Sequence, residues 1–293
     1  MNTTFPEASG EIHIAPVDAS RPRYKISPEQ MQAIKQVDHF SESEYRSLDL
    51  NTILDFYTAN FVEPLLQFID RPKAVADIGA GYGWLALAFA LRTKAKVVAM
   101  EYDAARLAAA QKIAAILGVS EKIEWIVGSI SEIPLADRSM DAVYCIEVIE
   151  HTGVDRRFVR ELARLTNDIL VITTPNKVFP AIHHDTSLPF CHWLPLRARN
   201  VYASLFGRLS LQHNNYFWSP LALLPVLNDF RRVSRFLQFT TYAEYRRAKL
   251  VAAHQRTGLA EKFRESYFGC AAKLGKYSLF VLPNMASTFR RRV

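Results

Sequence analysis

Residues 75–83 read Val-Ala-Asp-Ile-Gly-Ala-Gly-Tyr-Gly and join a short apolar run to the start of a helical stretch. The apolar residues predict a buried strand. The three glycines predict a tight turn that lets the backbone approach a ligand with no Cβ in the way. Because ligands of open α/β sheets bind at the carboxyl ends of strands, this turn is the first candidate binding site.

From Lys73 to Pro175, short apolar runs alternate with helical stretches. The predicted order is a strand AVADIG, a helix from about Trp84, a strand KVVAME, a helix from Asp103 to Leu117, strands IEWIVG and MDAVYCI, a helix near Arg156 to Leu165, and a strand DILVITTP. Apolar runs without strict polar alternation are typical of parallel strands covered by helices on both faces. We therefore predict an α/β, Rossmann-like, doubly wound fold with a mostly parallel seven-stranded sheet.

The flanks of this repeat carry weaker signals. Ser27-Pro28-Glu29-Gln30 and Ser41-Glu42-Ser43-Glu44 are typical of helix starts, so two helices are expected before the first strand. After Pro175 we expect a helix opened by Ser219-Pro220, a strand near Arg232 to Phe239, a further helix, and a last strand from Lys276 to Pro283. The predicted organisation is an arm with cap helices over 1–70 and a catalytic domain over 71–293, with an acceptor-side insertion at about 176–220.

Composition limits the class of protein. The chain has 293 residues, of which 49% are hydrophobic and 22% charged, as expected for one sizeable α/β core. Its three cysteines form no CxxC pair, which argues against a disulfide scaffold or a cysteine zinc site and favours a reducing compartment. The N-terminus resembles no leader, and no apolar run reaches the roughly 18 residues that span a bilayer. We expect a cytoplasmic protein.

The formal charge of +7 is concentrated late in the chain. The residues concerned are Arg231, Arg232, Arg235, Arg246, Arg247, Lys249, Arg290, Arg291 and Arg292. Such an excess of basic residues indicates a nucleic-acid partner, an anionic membrane surface or an anionic substrate. It can also be simply scattered solvated charge. Our expectation is a weak peripheral contact of the basic C-terminus with the inner face of the membrane.

The glycine turn does not fit a dinucleotide site, which places its third glycine where this chain has the bulky Trp84. Val97-Val98-Ala99-Met100-Glu101 ends on an acid about twenty residues after the turn. That acid is well placed to accept hydrogen bonds from two ribose hydroxyls. The ligand is therefore expected to contain ribose without being NAD or FAD.

These residues resemble the cofactor motifs of class I S-adenosylmethionine-dependent methyltransferases, in particular the type 11, UbiE/UbiG-like group. The resemblance covers roughly Lys73 to Pro175 and includes the run from Asp141 to the pair Glu150-His151. It implies S-adenosylmethionine as cofactor. The residues it implies for cofactor binding are Asp77, Gly79, Gly81, Gly83, Glu101, Ser129, Ile130 and Ile146. Ser129 departs from the pattern of these enzymes, which usually have an acidic residue at this position to reach the amino group of adenine.

Three histidines are candidates for the base or for orienting the acceptor. His151 follows the fourth strand, whereas His183 and His184 follow the fifth, so all three are expected at the carboxyl edge of the sheet. An imidazole titrates near neutral pH and can accept a hydroxyl proton as methyl transfer proceeds. Structural hydrogen bonding is an equally good interpretation of each. No metal site is predicted, because adjacent residues such as His183, His184 and Asp185 seldom share one ion.

The leading hypothesis is an O-methyltransferase acting on a hydroxyl of a small or lipid-linked acceptor, with a glycan or glycolipid slightly favoured. Thr174-Pro175-Asn176-Lys177 and the Leu-Pro-Phe-x-His-Trp-Leu-Pro run at 188–195 are similar to a segment of type 11 methyltransferases of bacterial surface-glycan and lipid-linked biosynthesis. The alternative acceptor is a quinone-like, phenolic or carboxylate metabolite. An RNA methyltransferase ranks lower because no RNA-binding module is present, so no nucleic-acid partner is expected. A non-catalytic binding protein of the same fold also ranks lower.

Overall fold

The computed structural model of the chain describes residues 23–181, 186–208, 217–234 and 259–292. Its strands are β1 Ala74–Ile78, β2 Lys96–Glu101, β3 Ile123–Val127, β4 Met140–Ile146, β5 Thr166–Pro175, β6 Phe230–Ser234 and β7 Asn284–Arg291. They form one sheet in the order β3-β2-β1-β4-β5-β7-β6. The first five strands of that order are parallel, and β7 runs antiparallel between β5 and β6. The predicted fold class is confirmed.

The order of the strands reverses at β1, which pairs with β2 on one side and β4 on the other. Asp77 on β1 is aligned with Ala99 of β2 and with Tyr144 of β4. Chain connections from neighbouring strands leave in opposite directions at such a point and open a crevice at the carboxyl edge. The turn after β1 and the loop after β4 therefore face each other across the crevice.

Helices cover both faces of the sheet. They are α1 Pro28–Lys35, α2 Leu50–Tyr57, α3 Glu63–Phe68, α4 Trp84–Arg92, α5 Ala104–Ile116, α6 Arg156–Leu165, α7 Leu196–Leu205, α8 Pro220–Leu223 and α9 Leu259–Lys273. One apolar core joins the sheet to the N-terminal helices, α4 and α5, whereas the other joins it to α6 and α8. The predicted helices over 103–117 and 156–165 match α5 and α6, which begin after the N-caps Asp103 and Asp155.

The N-terminal region agrees with the prediction at one helix start and differs at the other. Ser27 and Gln30 form the expected capping box at the start of α1. The second Ser-Glu signal instead forms two 3-10 turns, Phe40–Glu42 and Glu44–Ser47. Helix α2 begins only at Leu50, because the Asp49 side chain accepts the N–H of Asn51 as its cap. It continues through a π-helical turn into α3.

The predicted last strand is wrong. The run expected to be extended forms a 3-10 turn over Gly275–Phe280, and β7 follows at Asn284–Arg291. Leu279 and Leu282 are both buried at a spacing of three residues, which a tight helical turn satisfies and a strand does not. In β7, Met285 and Phe289 point into the core with the alternation of a strand. Strand β6 begins at Phe230, two residues before the strand expected near Arg232 to Phe239, and the rest of that prediction lies outside the described ranges, which omit residues 235–258.

Two of the C-terminal arginines are occupied by contacts within the protein. The guanidinium of Arg290 pairs with the carboxylate of Asp168 at 2.8 Å, which links β7 to β5. Arg291 donates from Nε to the carbonyl oxygen of Thr166 at 3.0 Å and lies 4.5 Å from the ring of Phe230. These side chains fasten the antiparallel edge of the sheet. The basic residues at 235, 246, 247 and 249 lie outside the described part of the chain.

Candidate active site

The glycine turn between β1 and α4 has a backbone that only glycine adopts easily. Gly79, Gly81 and Gly83 have φ values of 81°, 57° and 75°, all in the left-handed region. A Cβ placed on Gly81 would come no closer than 3.9 Å to any other atom, the nearest being Cδ of Arg106. The backbone of Gly81 therefore faces open space, as a ligand-binding turn requires.

The other two glycines are needed for close packing. A Cβ on Gly79 would collide with the side chain of Val148 in the loop after β4. A Cβ on Gly83 would lie 3.1 Å from the indole of Trp125 on β3 and 3.3 Å from Ala110 on α5. The three glycines, which the sequence assigns to one role, thus divide into one that faces open space and two that let neighbouring elements approach.

Glu101 ends β2 and holds the glycine turn from the side. Its Oε2 accepts the N–H of Gly81 at 2.7 Å, and its Oε1 accepts the N–H groups of Tyr102 and Asp103 at 3.0 and 3.1 Å. The side chain is buried. Three backbone donors fix this carboxylate beside the open space at Gly81. A residue that binds the ribose of a ligand is expected in this position.

Asp77 lies inside β1 and is 3% exposed. Its Oδ2 is buried and accepts no hydrogen bond from the described residues. Burial raises the pKa of this carboxyl to about 7, and the nearby Glu101 adds to the rise although the N–H of Ala86 opposes it. A buried acceptor without a donor costs free energy that a bound ammonium or N–H group would recover. The pattern fits the amino group of a bound amino-acid moiety.

The loop after β3 joins the same edge of the sheet. The N–H of Gly128 donates to the carbonyl oxygen of Glu101 at 3.0 Å, which places Ser129 next to the end of β2. The hydroxyl of Ser129 is partly exposed and lies 2.9 Å from the hydroxyl of Ser131. The side chain of Ile130 is buried in the core on the α6 and α8 side of the sheet. Only the backbone of this residue is therefore available to a ligand at this edge.

The loop after β4 closes the crevice opposite the glycine turn. Glu147 follows Ile146 with φ at 54°, which is unusual for a residue with a Cβ, and its N–H donates to the carbonyl oxygen of Thr173 at 3.0 Å. Glu150 is buried and accepts the hydroxyl of Thr174 at 2.9 Å. Burial and the adjacent carboxyl of Glu147 both raise the pKa of Glu150. The pair Glu150-His151 is thereby split into a buried acid and an exposed imidazole.

Of the three candidate histidines, the structure places only His151 at this edge, since His183 and His184 lie outside the described residues. The nearby His192 has a structural role, because it is buried with Nε2 3.0 Å from the carbonyl oxygen of Lys177. Within the described ranges, no group of three or more His, Cys, Asp or Glu side chains could hold a metal ion. No helix there is long and apolar enough to span a bilayer.

Two side chains near the site, those of His39 and Tyr57, were not predicted from the sequence. Nδ1 of His39 lies 3.0 Å from the hydroxyl of Tyr82, which stands between two glycines of the turn. Burial, followed by the charges of Tyr45, Asp77 and Glu147, raises the pKa of Tyr57 on α2. Both come from the N-terminal helical segment, whose sequence carries no signal that it packs over the glycine turn.

Residues 76–168 match the type 11 methyltransferase family model, which is described as a methyltransferase domain. The matched residues run from β1 into β5 and include the glycine turn, Glu101 and the loop after β4. This part of the chain is therefore similar to the methyltransferase domains that use S-adenosylmethionine.

Curated relatives match the same region of the chain. The "Probable S-adenosylmethionine-dependent methyltransferase Rv3030" of Mycobacterium tuberculosis is 32% identical over 130 residues, which cover 44% of each chain. Norajmaline N-methyltransferase of Rauvolfia serpentina is 28% identical over 137 residues, which cover 44% of this chain and 47% of the relative. The match therefore spans less than half the length of either relative.

The fold of the methyltransferase domain is shared with solved structures. The geranyl diphosphate C-methyltransferase of Streptomyces coelicolor A3(2), solved with Mg2+, geranyl diphosphate and S-adenosyl-L-homocysteine, superposes with a TM-score of 0.50. The two chains are 16% identical, and the alignment covers 93% of this chain and 91% of that one. At this identity the likeness concerns the fold.

Proposed function

We propose that the chain is an S-adenosylmethionine-dependent O-methyltransferase that methylates a hydroxyl of a small or lipid-linked acceptor, with a glycan or glycolipid favoured. The observation that carries the cofactor assignment is the open space at Gly81, bordered by the fixed carboxylate of Glu101 and the unsatisfied carboxylate oxygen of Asp77. S-adenosylmethionine carries a ribose and an amino group. The two carboxylates offer acceptors for these groups, and the open backbone at Gly81 offers room for the cofactor.

Each of these residues has a proposed contact with one part of the cofactor. Asp77 would hold the methionine amino group and Glu101 the ribose hydroxyls. The backbone of Gly81 would line the space between these two contacts. Ser129 would meet the adenine, with Ile130 and Ile146 contributing from the loops after β3 and β4. Bound S-adenosylmethionine supplies a methyl group activated by its sulfonium charge.

The chain's own contribution to catalysis is to hold the acceptor oxygen in line and to remove its proton. Positioning of this kind accounts for most of the rate when the leaving group is already activated. His151 is the base candidate that the structure describes, because it follows the buried Glu150 on the loop facing the glycine turn. Glu150, hydrogen-bonded to Thr174, anchors that loop to β5.

We assign acceptor binding to the segment after β5, at about 176–220, and a covering role to the arm and helices over 1–70. The buried side chain of Asn176 donates to the carbonyl oxygens of Leu279 and Leu282, both at 2.8 Å. The indole N–H of Trp218 donates to the carbonyl oxygen of Ile149 at 3.2 Å. These bonds support the assignment, since the Asn176 bonds fasten the start of the segment to the residues before β7 and the Trp218 bond fastens its end to the loop that carries Glu150 and His151.

The choice of oxygen as the methylated atom rests on the histidine candidates and on the likeness of residues 174–195 to enzymes of lipid-linked biosynthesis. The names of the relatives include two N-methyltransferases and the "Probable tocopherol O-methyltransferase, chloroplastic" of Oryza sativa subsp. japonica, so similar proteins act on different acceptors. A phenolic, quinone-like or carboxylate metabolite is the second candidate. The contacts of Arg290 and Arg291 argue against the C-terminal arginines as the basis of a membrane contact.

Calorimetric titration with S-adenosylmethionine and S-adenosylhomocysteine tests the cofactor assignment, and we expect affinities in the micromolar range. Transfer is then tested by incubating the protein with methyl-labelled cofactor and separate glycolipid, phenol and carboxylate panels. Label in an ether-linked methyl of a glycan supports the leading acceptor. Label only in phenols or esters supports the alternative. Absence of cofactor binding would refute both.

A further inference from the structure

The segment between β5 and β6 has an unusual charge pattern. From Thr186 to Asn228 the sequence contains no aspartate or glutamate, whereas it contains three arginines and many large apolar residues. This is the longest run of the chain without an acidic side chain. A surface built from this segment has no carboxylates of its own to repel an anionic partner.

Helix α7 and the residues just before it expose apolar side chains instead of burying them. Ala203 is the buried residue of this ten-residue helix. The exposed apolar residues, which we call the α7 surface, are Phe190, Trp193, Leu194, Leu196, Val201, Leu205 and Phe206. Isolated exposed apolar residues are common, but so many of them within one short segment favour an interaction site.

The charges on α7 lie beside these apolar groups. Arg197, Val201 and Leu205 are spaced by four residues and therefore share one face of the helix. Val201 is 61% exposed and Leu205 is 76% exposed. Arg208, also exposed, follows the end of the helix. Basic side chains flanking Leu, Phe and Trp are typical of helices that lie in the interfacial layer of a membrane.

Hydrogen bonds hold the segment in this outward arrangement. The indole N–H of Trp193 donates to the carbonyl oxygen of Lys177 at 2.6 Å, and Nη2 of Arg199 donates to the carbonyl oxygen of His192 at 3.1 Å. The rings of Phe190 and Trp193 lie 4.9 Å apart, and both residues are half-exposed. The aromatic pair is thus fixed at the surface, with its polar indole edge satisfied by the protein.

The α7 surface belongs to the same edge of the sheet as the candidate active site. Its segment begins where β5 ends, and the N–H of Lys177 donates to the carbonyl oxygen of Trp218 at 2.9 Å. Trp218 in turn contacts the loop after β4 through its bond to Ile149. A membrane held at this surface would lie beside the crevice from which an acceptor enters.

We propose that the α7 surface docks the protein on a bilayer that contains anionic lipid, with Arg197 and Arg208 facing phosphate groups and the apolar side chains entering the interface. The charge pattern favours this occupant over an acidic protein because the apolar residues outnumber the arginines and include an exposed aromatic pair. Docking does not depend on methyl transfer, so it stands or falls separately from the proposed function.

Vesicle co-sedimentation of the whole 293-residue chain tests the proposal. We expect binding to phosphatidylcholine vesicles containing a quarter phosphatidylglycerol at low salt, little binding to pure phosphatidylcholine, and release at high salt. The double variant Val201→Glu/Leu205→Glu should lower the bound fraction about tenfold, since it places carboxylates on the exposed face. Phe263→Glu is the matched control, because Phe263 is 73% exposed on α9, and it should bind as the wild type does.

Two kinds of result would overturn the proposal. One is absence of wild-type binding to the anionic vesicles at low salt, or equal binding by the double variant. The other is a wild-type dimer in analytical ultracentrifugation that the double variant converts to a monomer, which would make this face a contact between copies of the chain. Cofactor affinity measured on the same preparations should be unchanged, which shows that the variant is folded.

Discussion

At the scale of single residues, the three glycines of the turn show how one motif serves separate physical needs. Gly79 and Gly83 are required because Val148 and Trp125 occupy the space that a Cβ would take. Gly81 has open space in front of it, so the absence of a side chain there serves a ligand. The backbone N–H of Gly81 is bound by Glu101, which connects the ends of two strands.

The substitution Gly81→Val should lower affinity for S-adenosylmethionine at least about tenfold, or ~1.4 kcal/mol, because the new side chain fills the open space. Gly118→Val is the matched control. Gly118 also has a positive φ, of 72°, with nothing within 4 Å of its Cβ position, and it follows α5 away from the turn. Both variants should lose about 1–2 kcal/mol of stability from backbone strain. Equal cofactor affinity in the two, by calorimetry, would contradict the assignment of Gly81.

At the scale of elements, the loop after β4 is the piece on which the site depends most. It packs against the glycine turn through Val148, against β5 through Glu150 and Thr174, and against the segment after β5 through Ile149. Each contact comes from a different element. These contacts of Val148, Ile149 and Glu150 fix the loop that ends at the exposed His151.

Replacing Trp218 by Phe tests that arrangement. Trp218 is fully buried, and its loss would leave the carbonyl oxygen of Ile149 without this donor and create a small cavity. We expect a loss of about 1–3 kcal/mol in the free energy of unfolding, together with reduced methyl transfer at unchanged cofactor affinity. Trp193→Phe removes a similar bond at a half-exposed site and should cost under about 1 kcal/mol. Urea denaturation that gives equal losses for the two variants would refute the idea.

At the scale of the whole molecule, the buried carboxyls of the crevice make stability depend on pH. Burial raises the pKa of Asp77 to about 7 and also raises that of Glu150, whose neighbour Glu147 adds to the shift. The folded state holds these protons at pH values where the unfolded state has released them. Their contribution to stability is present at low pH and is lost as pH rises through the folded-state pKa values.

The variant Glu150→Gln should remove part of this pH dependence while keeping an acceptor for the hydroxyl of Thr174. Relative to the wild type, it should gain on the order of 1–2 kcal/mol of stability between about pH 5 and about pH 8.5. Glu121→Gln, at an exposed acid in the turn before β3, should show no such gain. Denaturation curves at the two pH values provide the measurement, and parallel behaviour of the two variants would exclude Glu150 as the source.

The sequence alone determined the layout of the central domain. Apolar runs, N-cap residues such as Asp103 and Asp155, and the glycine turn are local signals, and local signals suffice for elements whose neighbours follow in the chain. The same signals located Glu101 at the end of β2 and the loop after β4 at the opposite side of the crevice. They failed at the C-terminus, where the most apolar run became a 3-10 turn and the less apolar β7 entered the sheet.

Only the tertiary structure decided which residues meet. It packed the N-terminal segment with His39 against Tyr82, buried Glu150 beside Glu147 while leaving His151 exposed, and paired Arg290 with Asp168. It also left α7 with an exposed apolar and basic face. The physical reason is the same in each case. These outcomes depend on burial and on contacts between residues far apart in the chain, and periodicity and composition carry no information about such distant partners.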